Sequence, residues 1–509
     1  MSHDITPSQR LWITLSVMLA TIMQALDTTI ANVALPHMQG SVGATQDQIS
    51  WVLTSYIVAA AICMPLTGFL SARFGRKQVF IWSVIGFTVT SMMCGAAQNL
   101  TQIVLFRLLQ GVFGAALVPL SQAVLLDAYP KEKHGSAMAL WGIGVMVGPI
   151  LGPSLGGYLT EYYNWRWVFY INLPFGVLAW LGISMFVRET PLELKKFDWF
   201  GFWLLSIAIG ALQMLLDRGE SQDWFHSQEI VIETILAVGA MYMFIAHILT
   251  SRKPYIDPGI FADRNFSVGL VCIFVVGIIL LATMALLPPY LQNLMGYPVI
   301  DVGLVLAPRG FGTMAAMMIV GRLGQKVDGR YVILLGLLLI SVSLHQMTLF
   351  TVDVTKFEII STGILQGFGL GFTFVPLTTI AFATLAPQYR TDGSALFSLM
   401  RNIGSSIGIS VVVTYLTQHT QMNHAALAGF IREDSQALQH AVDVGAYAMD
   451  TVAGMAKLNA DVTKAASALA YLQDFRFMMF LTLSAVPLLL LFKKPAASPA
   501  DAQPAVLAD

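Results

Sequence analysis

Apolar stretches of about bilayer length recur along this chain, and they constrain its fold more than any other feature. A helix crosses about 30 Å of hydrocarbon with roughly 20 apolar residues. Stretches of that kind lie near 12–35, 50–71, 79–98, 101–126, 136–160 and 166–187. Two follow near 199–216 and 229–250, and six more near 267–291, 301–321, 331–350, 358–382, 394–416 and 475–492. The pattern predicts an all-α integral membrane protein of about 14 transmembrane helices. Charge content agrees: 11% of the 509 residues are charged, against about 25% in soluble domains, so lipid has to be the outer solvent. The net charge of −1 leaves no basic excess for nucleic acid. Cys63, Cys94 and Cys272 lie singly in apolar runs and read as buried thiols, not as a disulfide framework or a zinc site. The first run, Leu11 to Leu35, is too long for a signal-peptide core and is expected to stay attached as the first span.

Basic residues set the orientation. Alternate loops hold Arg73, Arg76, Lys77, Lys131, Lys133, Lys195, Lys196, Arg252, Lys253, Arg322, Lys326 and Arg330. The intervening short loops add little beyond Arg166, Arg218 and Lys356, so both termini are expected on the cytoplasmic side. Residues 417–474 break the rhythm as a long polar loop on the outer side. Within it, Ala456 to Phe475 has the composition of an amphipathic helix. That segment reads either as a partner-docking element or as a loosely folded external loop.

The chain also repeats itself. Gly68-Phe-Leu-Ser-Ala-Arg73-Phe-Gly75-Arg76 ends span two, and Gly321 to Arg330 ends span ten in like manner. Leu109-Gln110-Gly111 in span four corresponds to Leu365-Gln366-Gly367 in span twelve, and Gly135-Ser136-Ala137 to Gly393-Ser394-Ala395. The matches keep their order at an offset of roughly 253–258 residues. Eight spans separate the copies, an even number, so two parallel six-helix bundles are expected with spans seven and eight inserted between them. The corresponding divisions are 1–190, an insert with linkers over 191–260, a second bundle over 261–493 and a cytoplasmic tail over 494–509.

An ionisable group at mid-membrane costs at least about 2.5 kcal/mol and is a functional candidate by default. Asp27 lies deep in span one, Arg107 in span four, Arg309 in span ten and Arg401 in span thirteen. The repeat aligns Asp27 with Ile279 or Leu280, and Arg107 with Gly363, so the second half lacks both charges. Burial disfavours a charged carboxyl and a nearby cation favours it. Motion that alternately wets Asp27 and brings it to Arg107 would therefore switch its proton, whereas arginine stays charged throughout. The plainer reading of Asp27 is a structural cap or pair. Gln24, Asn32, Tyr56 and Gln110 are candidate substrate-lining residues by helix position. Span five carries Gly144, Gly148, Pro149, Gly152 and Pro153, a pattern that bends a helix and admits a close neighbour. A rocking interface and a crowded packing seam both satisfy that spacing.

Together these segments resemble the fourteen-helix drug:proton antiporter branch of the major facilitator superfamily, the EmrB/QacA type. Leu26-Asp27-Thr-Thr-Ile-Ala-Asn32-Val-Ala-Leu-Pro36 is similar to its first-helix motif, and Arg107-Leu-Leu-Gln110-Gly111 to the superfamily's fourth-helix motif. The Gly148-Pro149…Gly152-Pro153 run is similar to the antiporter motif, and Ala307-Pro308-Arg309-Gly310 and Arg401-Asn402-Ile403-Gly404 also resemble this branch. The resemblance implies the major facilitator fold, proton coupling through Asp27 and Arg107, and a cytoplasmic gating loop of Gly68, Arg73, Gly75, Arg76 and Lys77. Ala72 stands where the family usually has an aspartate, so Arg73 is expected to pair instead with Asp127. Leu458-Asn-Ala-Asp461-Val-Thr-Lys464 and Leu472-Gln-Asp474-Phe475 resemble the EmrB subgroup. That likeness implies a bacterial inner-membrane permease working with a periplasmic adaptor and an outer-membrane channel.

The expected function is thus export of hydrophobic small molecules, with the proton as coupling ion and no cofactor. Its rival is a stand-alone exporter of one physiological cargo, such as a fatty acid, siderophore or metabolite. An enzyme is disfavoured: there is no GxxxxGK phosphate loop, no HExxH metal motif and no attached soluble catalytic domain. The 25 Met residues fit adaptable, apolar cavity walls.

Overall fold

The computed structural model describes residues 6–192, 197–252, 254–323, 327–351, 353–431, 438–440, 447 and 451–493. Lys195, Lys196, Lys253, Lys326 and the tail 494–509 lie outside that set, as do the side chains of Lys131, Pro149 and Pro153. Among the described residues there is no strand. Thirteen helices are long and apolar enough to cross a bilayer, or fourteen when one bent pair is taken as a single span. That is the outcome the lipid demands, because a helix satisfies its own backbone polar groups where water is absent.

The first half comprises α1 (Pro7–Val42), α2 (Trp51–Cys63 and Leu66–Phe74), α3 (Arg76–Ala96), α4 (Leu100–Ala128), α5 (His134–Tyr162) and α6 (Trp167–Phe186). The inserted pair is α7 (Trp199–Arg218) and α8 (Gln228–Thr250). The second half comprises α9 (Arg264–Pro289), α10 (Val299–Leu323), α11 (Gly329–Met347), α12 (Lys356–Ala383), α13 (Arg390–Phe430) and α14 (Val452–Ser484). Several starts are fixed by side-chain caps: Thr6, Asn99, Asp198, Asp263 and Thr355 each accept the amide three residues on. The two segments of α2 meet at a 56° bend ending in Pro65, where the missing N–H interrupts the ladder.

The internal repeat is visible in the packing. α1 packs on α5 as α9 packs on α13, α2 on α4 as α10 on α12, and α3 on α4 as α11 on α12. The halves meet where α5 lies on α10 and α12 and where α13 packs on α2 and α4, and the inserted α7 packs on both α2 and α13. We call the face holding the α2–α3 and α4–α5 turns the basic face.

The long loop expected over 417–474 is corrected by the structure. α13 runs on for 41 residues to Phe430 and α14 begins at Val452, so both spans extend past the bilayer as a helical hairpin. At about 1.5 Å per residue α13 is about 60 Å long, twice the hydrocarbon thickness. Asn423 Nδ2 donates to the Ala466 carbonyl at 3.3 Å, and Tyr415 stacks on Phe477 with ring centroids 5.3 Å apart. Hydropathy ended both spans too early because a helix that leaves lipid becomes polar without ceasing to be a helix. Asp474, in this part of α14, is 0% exposed and neither carboxyl oxygen has a hydrogen-bond partner among the described residues.

Candidate functional site

The site begins on α1. Asp27 occurs in a run of small and apolar residues, and its helix face turns towards α2, α4 and α6. Arg107 of α4 donates from Nη1 to Asp27 Oδ2 at 2.7 Å, and each side chain is 1% exposed. Gln110, one turn along α4, donates to Oδ1 at 2.9 Å. Asn172 of α6 donates to the same oxygen at 2.8 Å and also to Ser91 Oγ at 2.9 Å. Three donors from two helices therefore surround one carboxylate. Oδ1 accepts two of them and Oδ2 one, so a proton arriving on Oδ1 has to displace a donor, and one arriving on Oδ2 cancels the charge that Arg107 faces.

Arg107 is held from its other side as well. Its Nε donates to the Val52 carbonyl of α2 at 3.1 Å, and its guanidinium lies 4.3 Å from the Tyr56 ring centroid. Tyr56 hydroxyl accepts from Gln24 Nε2 at 3.2 Å. The structure thus gathers Asp27, Arg107, Gln110, Tyr56 and Gln24 into one assembly. Asn32 stands apart from it, exposed on α1. Asn172 and Ser91 do not stand out in the sequence, because neutral polar residues are frequent in spans and neither carries a charge or belongs to a motif. Asn172, an amide inside the sixth apolar run, was the available signal.

The glycines of α5 lie directly behind Asp27. A Cβ on Gly148 would run into the Ala25 carbonyl, and one on Gly152 would strike Thr29. Thr29 Oγ1 donates to the Gly148 carbonyl at 3.0 Å, and Gly144 faces Met18 of α1. Close approach of this kind needs residues without side chains. The opposite side of α5 meets α10: a Cβ on Gly303 would sit 3.1 Å from Ser154 Oγ, and one on Gly310 would collide with Ile150. α5 is therefore wedged between the helix of Asp27 and the helix of Arg309.

On the basic face a second set of charges joins the halves. Asp127, at the end of α4, pairs with Arg76 of α3 and with Arg390 Nη1 of α13, the latter at 2.6 Å. Arg76 Nη2 donates to Thr391 Oγ1 at 2.9 Å. A Cβ on Gly68 would collide with Asp392, so α2 and α13 touch here. Ser136 Oγ of α5 donates to the Gly321 carbonyl of α10 at 2.8 Å. The molecule is closed on this face.

This arrangement corrects one expectation. Asp127 pairs with Arg76 and Arg390, whereas Arg73 is exposed; Lys77 is half-buried. The cause is Gly75, whose φ of +88° turns the chain between α2 and α3 and leaves Arg76 facing Asp127. Arg390, three residues before the repeated Gly393-Ser394-Ala395, lies in a loop by hydropathy and so carries no mid-membrane signal in the sequence.

The charges of the second half are placed differently. Arg309 is 5% exposed on α10, and its Nη2 reaches only the Leu280 carbonyl of α9, at 3.5 Å. Arg401 is half-buried on α13. Among the described residues neither forms an ion pair.

The sequence profile of the Major Facilitator Superfamily matches residues 17–409. The chain is 39% identical over 423 residues to the multidrug export protein EmrB of Escherichia coli (strain K12), covering 82% of this chain and 83% of that one. It is 38% identical over 429 residues to the fatty acid resistance protein FarB of Neisseria gonorrhoeae, covering 84% and 85%. The probable multidrug resistance protein EmrY of Escherichia coli (strain K12) is 34% identical over 493 residues, covering 95% and 96%. Among solved structures, the human organic anion transporter MFSD10 (TETRAN) superimposes with a TM-score of 0.61 at 16% identity, covering 95% of this chain and 100% of that one. That last likeness concerns the fold alone.

Proposed function

Because the chain belongs to the Major Facilitator Superfamily, as an EmrB-type drug transporter, we propose that it exports hydrophobic small molecules from the bacterial cytoplasm in exchange for protons. In this reading the basic face and both termini are cytoplasmic, the membrane is the bacterial inner membrane, and the structure is the form closed to the cytoplasm. The observation that carries the reading is the sealed acid: Asp27 is 1% exposed, paired with a single buried cation and capped by two amides. Arginine keeps its charge in proteins, so the exchangeable proton belongs on Asp27. Protonation removes the charge that Arg107 pairs with, weakens the bonds from Gln110 and Asn172, and so loosens α1 from α4 and α6. α1 then shifts along the glycine face of α5, which rests on α10, and the two halves tilt.

Magnitudes favour this order of events. A proton moving down 100 mV releases about 2.3 kcal/mol before any pH term. The Asp127 pairs on the basic face involve a carboxylate 38% exposed, and exposed pairs are worth about 0.2–1 kcal/mol each. One proton thus exceeds either of those pairs in magnitude.

The relatives' names, multidrug export and fatty acid resistance, support apolar or amphiphilic cargo. The second of these names also favours the rival reading, export of one physiological cargo. The α13–α14 hairpin supports assembly with a periplasmic adaptor and an outer-membrane channel, since it carries Met422, Phe430 and Val452 at 62%, 81% and 88% exposure beyond the spans. Crosslinkers placed in 420–430 and 452–474 test that assembly by capturing an adaptor or failing to.

Proton coupling is tested with Asp27→Asn in proteoliposomes given an imposed pH step. The variant is expected to reach the membrane at normal levels and to lose gradient-driven efflux. Efflux retained at the wild-type rate would remove Asp27 as the carrier. Susceptibility of a deletion strain to a compound panel separates the two cargo readings: broad hypersensitivity supports multidrug export, and a single accumulated metabolite supports the rival.

A further inference from the structure

We propose that Arg309 receives the anionic group of an amphiphilic cargo, at the place in the second half that corresponds to the Asp27–Arg107 site in the first. The inference rests on the export reading and names the chemistry that the second half would recognise in the cargo.

The correspondence is structural as well as sequential. A Cβ on Gly111 would strike the Tyr56 carbonyl, and a Cβ on Gly367, its repeat partner, would strike the Arg309 carbonyl. Arg309 thus stands on α10 where Tyr56 stands on α2. In the first half the Tyr56 ring lies 4.3 Å from the guanidinium of Arg107. In the second half Arg107 is replaced by Gly363, and a Cβ there would sit 3.6 Å from Arg309 Cβ. At that position α12 contributes no side chain, and the Arg309 Cβ of the neighbouring helix is what faces it. The cation has moved from one helix to its neighbour, and the site has kept it.

The acid has not been kept. Asp27 aligns with Ile279 or Leu280, and the Arg309 Nη2 contact is with the Leu280 carbonyl, at 3.5 Å. Gln110 persists as Gln366, which donates to Thr283 Oγ1 at 3.4 Å while its buried Oε1 has no partner among the described residues. Arg309 is 5% exposed and forms no ion pair among the described residues. A buried guanidinium without a counter-charge is costly, and its planar fork fits a carboxylate with two parallel bonds. An entering carboxylate satisfies both requirements, and an apolar tail suits the neighbouring α9, the most apolar of the spans. Gln366 Oε1 remains to accept from a hydroxyl or a water carried with it.

The test is binding to the full-length protein in nanodiscs of zwitterionic lipid, read calorimetrically with dodecanoate and dodecanol. Arg309→Gln is expected to weaken dodecanoate by about tenfold or more, the range of one charge-assisted bond, and to leave dodecanol within about twofold. Arg309→Lys should recover part of the loss. Equal weakening of both ligands, or of neither, overturns the proposal. Should the glutamine variant fail to fold, a photoreactive fatty acid tagged beside its carboxylate decides the matter on the wild type. Labelling of peptides holding Leu280 or Gln366 supports the site, and labelling confined elsewhere overturns it. A phosphate headgroup offers similar chemistry, so the titration is repeated with anionic phospholipid; displacement of dodecanoate by that lipid also overturns the cargo assignment. Because binding is read without a gradient, loss of coupling at Asp27 leaves this result untouched.

Discussion

Asn172 on α6 and Asp27 on α1 meet at 2.8 Å, and both are completely enclosed by protein. The amide closes the one side of the carboxylate that α4 does not reach. Asn172→Leu removes that donor and leaves Ser91 short of a partner too. The expected cost is about 1.5–3 kcal/mol for one hydrogen bond lost to a charged group, read as a lowered thermal midpoint, together with reduced efflux. Efflux at the wild-type rate would show that two donors suffice for the exchange.

The basic-face charges give a different set of outcomes. Arg76→Ala, Arg390→Ala and Asp127→Asn should each impair export, and adding either arginine variant to Asp127→Asn should make it no worse. Arg73→Ala should transport normally, since Arg73 is exposed and makes no pair with Asp127. Each loss shifts the closed form by about 1 kcal/mol or less, about fivefold in population. Labelling of single cysteines from the two faces of the membrane measures that shift. An Arg73→Ala defect as deep as that of Arg76→Ala would restore the pairing expected from the sequence.

Glycine substitutions in α5 should divide by what they meet. Gly148→Val drives a side chain into the Ala25 carbonyl, an overpacking worth about 1–3 kcal/mol, and should lower both stability and transport. Gly157→Ala meets nothing within 4 Å and should behave as wild type. Thermal unfolding of the two purified variants compares them directly. Similar midpoints would mean that α1 and α5 do not approach as closely as described.

Asp474 offers a stability test. Its carboxyl is fully buried with neither oxygen partnered among the described residues, an arrangement that costs about 1–3 kcal/mol. Asp474→Leu should therefore hold or raise the thermal midpoint. A clear fall would reveal a partner for the carboxyl.

Much of the architecture was legible because the bilayer imposes a single length rule. Fourteen stretches could be counted, and the repeated Leu-Gln-Gly and Gly-Ser-Ala segments correctly paired the helices that now pack in the same way. Where the rule stops, so did the reading. α13 and α14 leave the lipid and remain helical, which hydropathy alone cannot register. Within the site, Asp27 and Arg107 announced themselves by charge, but Asn172 is neutral and Ser91 is common in spans. The partner of Asp127 depended on the backbone angle at Gly75, a quantity that one residue letter does not carry.

The inserted helix α7 grips both halves. On one side Thr54 Oγ1 of α2 donates to Asp217, and the guanidinium of Arg218 lies 5.5 Å from the Trp51 ring. On the other, Gln213 and Ser406 exchange hydrogen bonds at 2.9 and 3.1 Å, and Trp224 just beyond α7 donates to Thr414 at 3.1 Å. The flank between α2 and α13 is thus bridged by a third body. Any swing of one lobe stretches this bridge or carries it along, so α7 and α8 form a clasp that limits how far the lobes part on that flank. A twelve-helix version made by excising them would expose the polar groups of Thr54, Gln213's partner Ser406 and Thr414 to hydrocarbon, and would leave that edge held by the direct contacts of α13 with α2 and α4 alone.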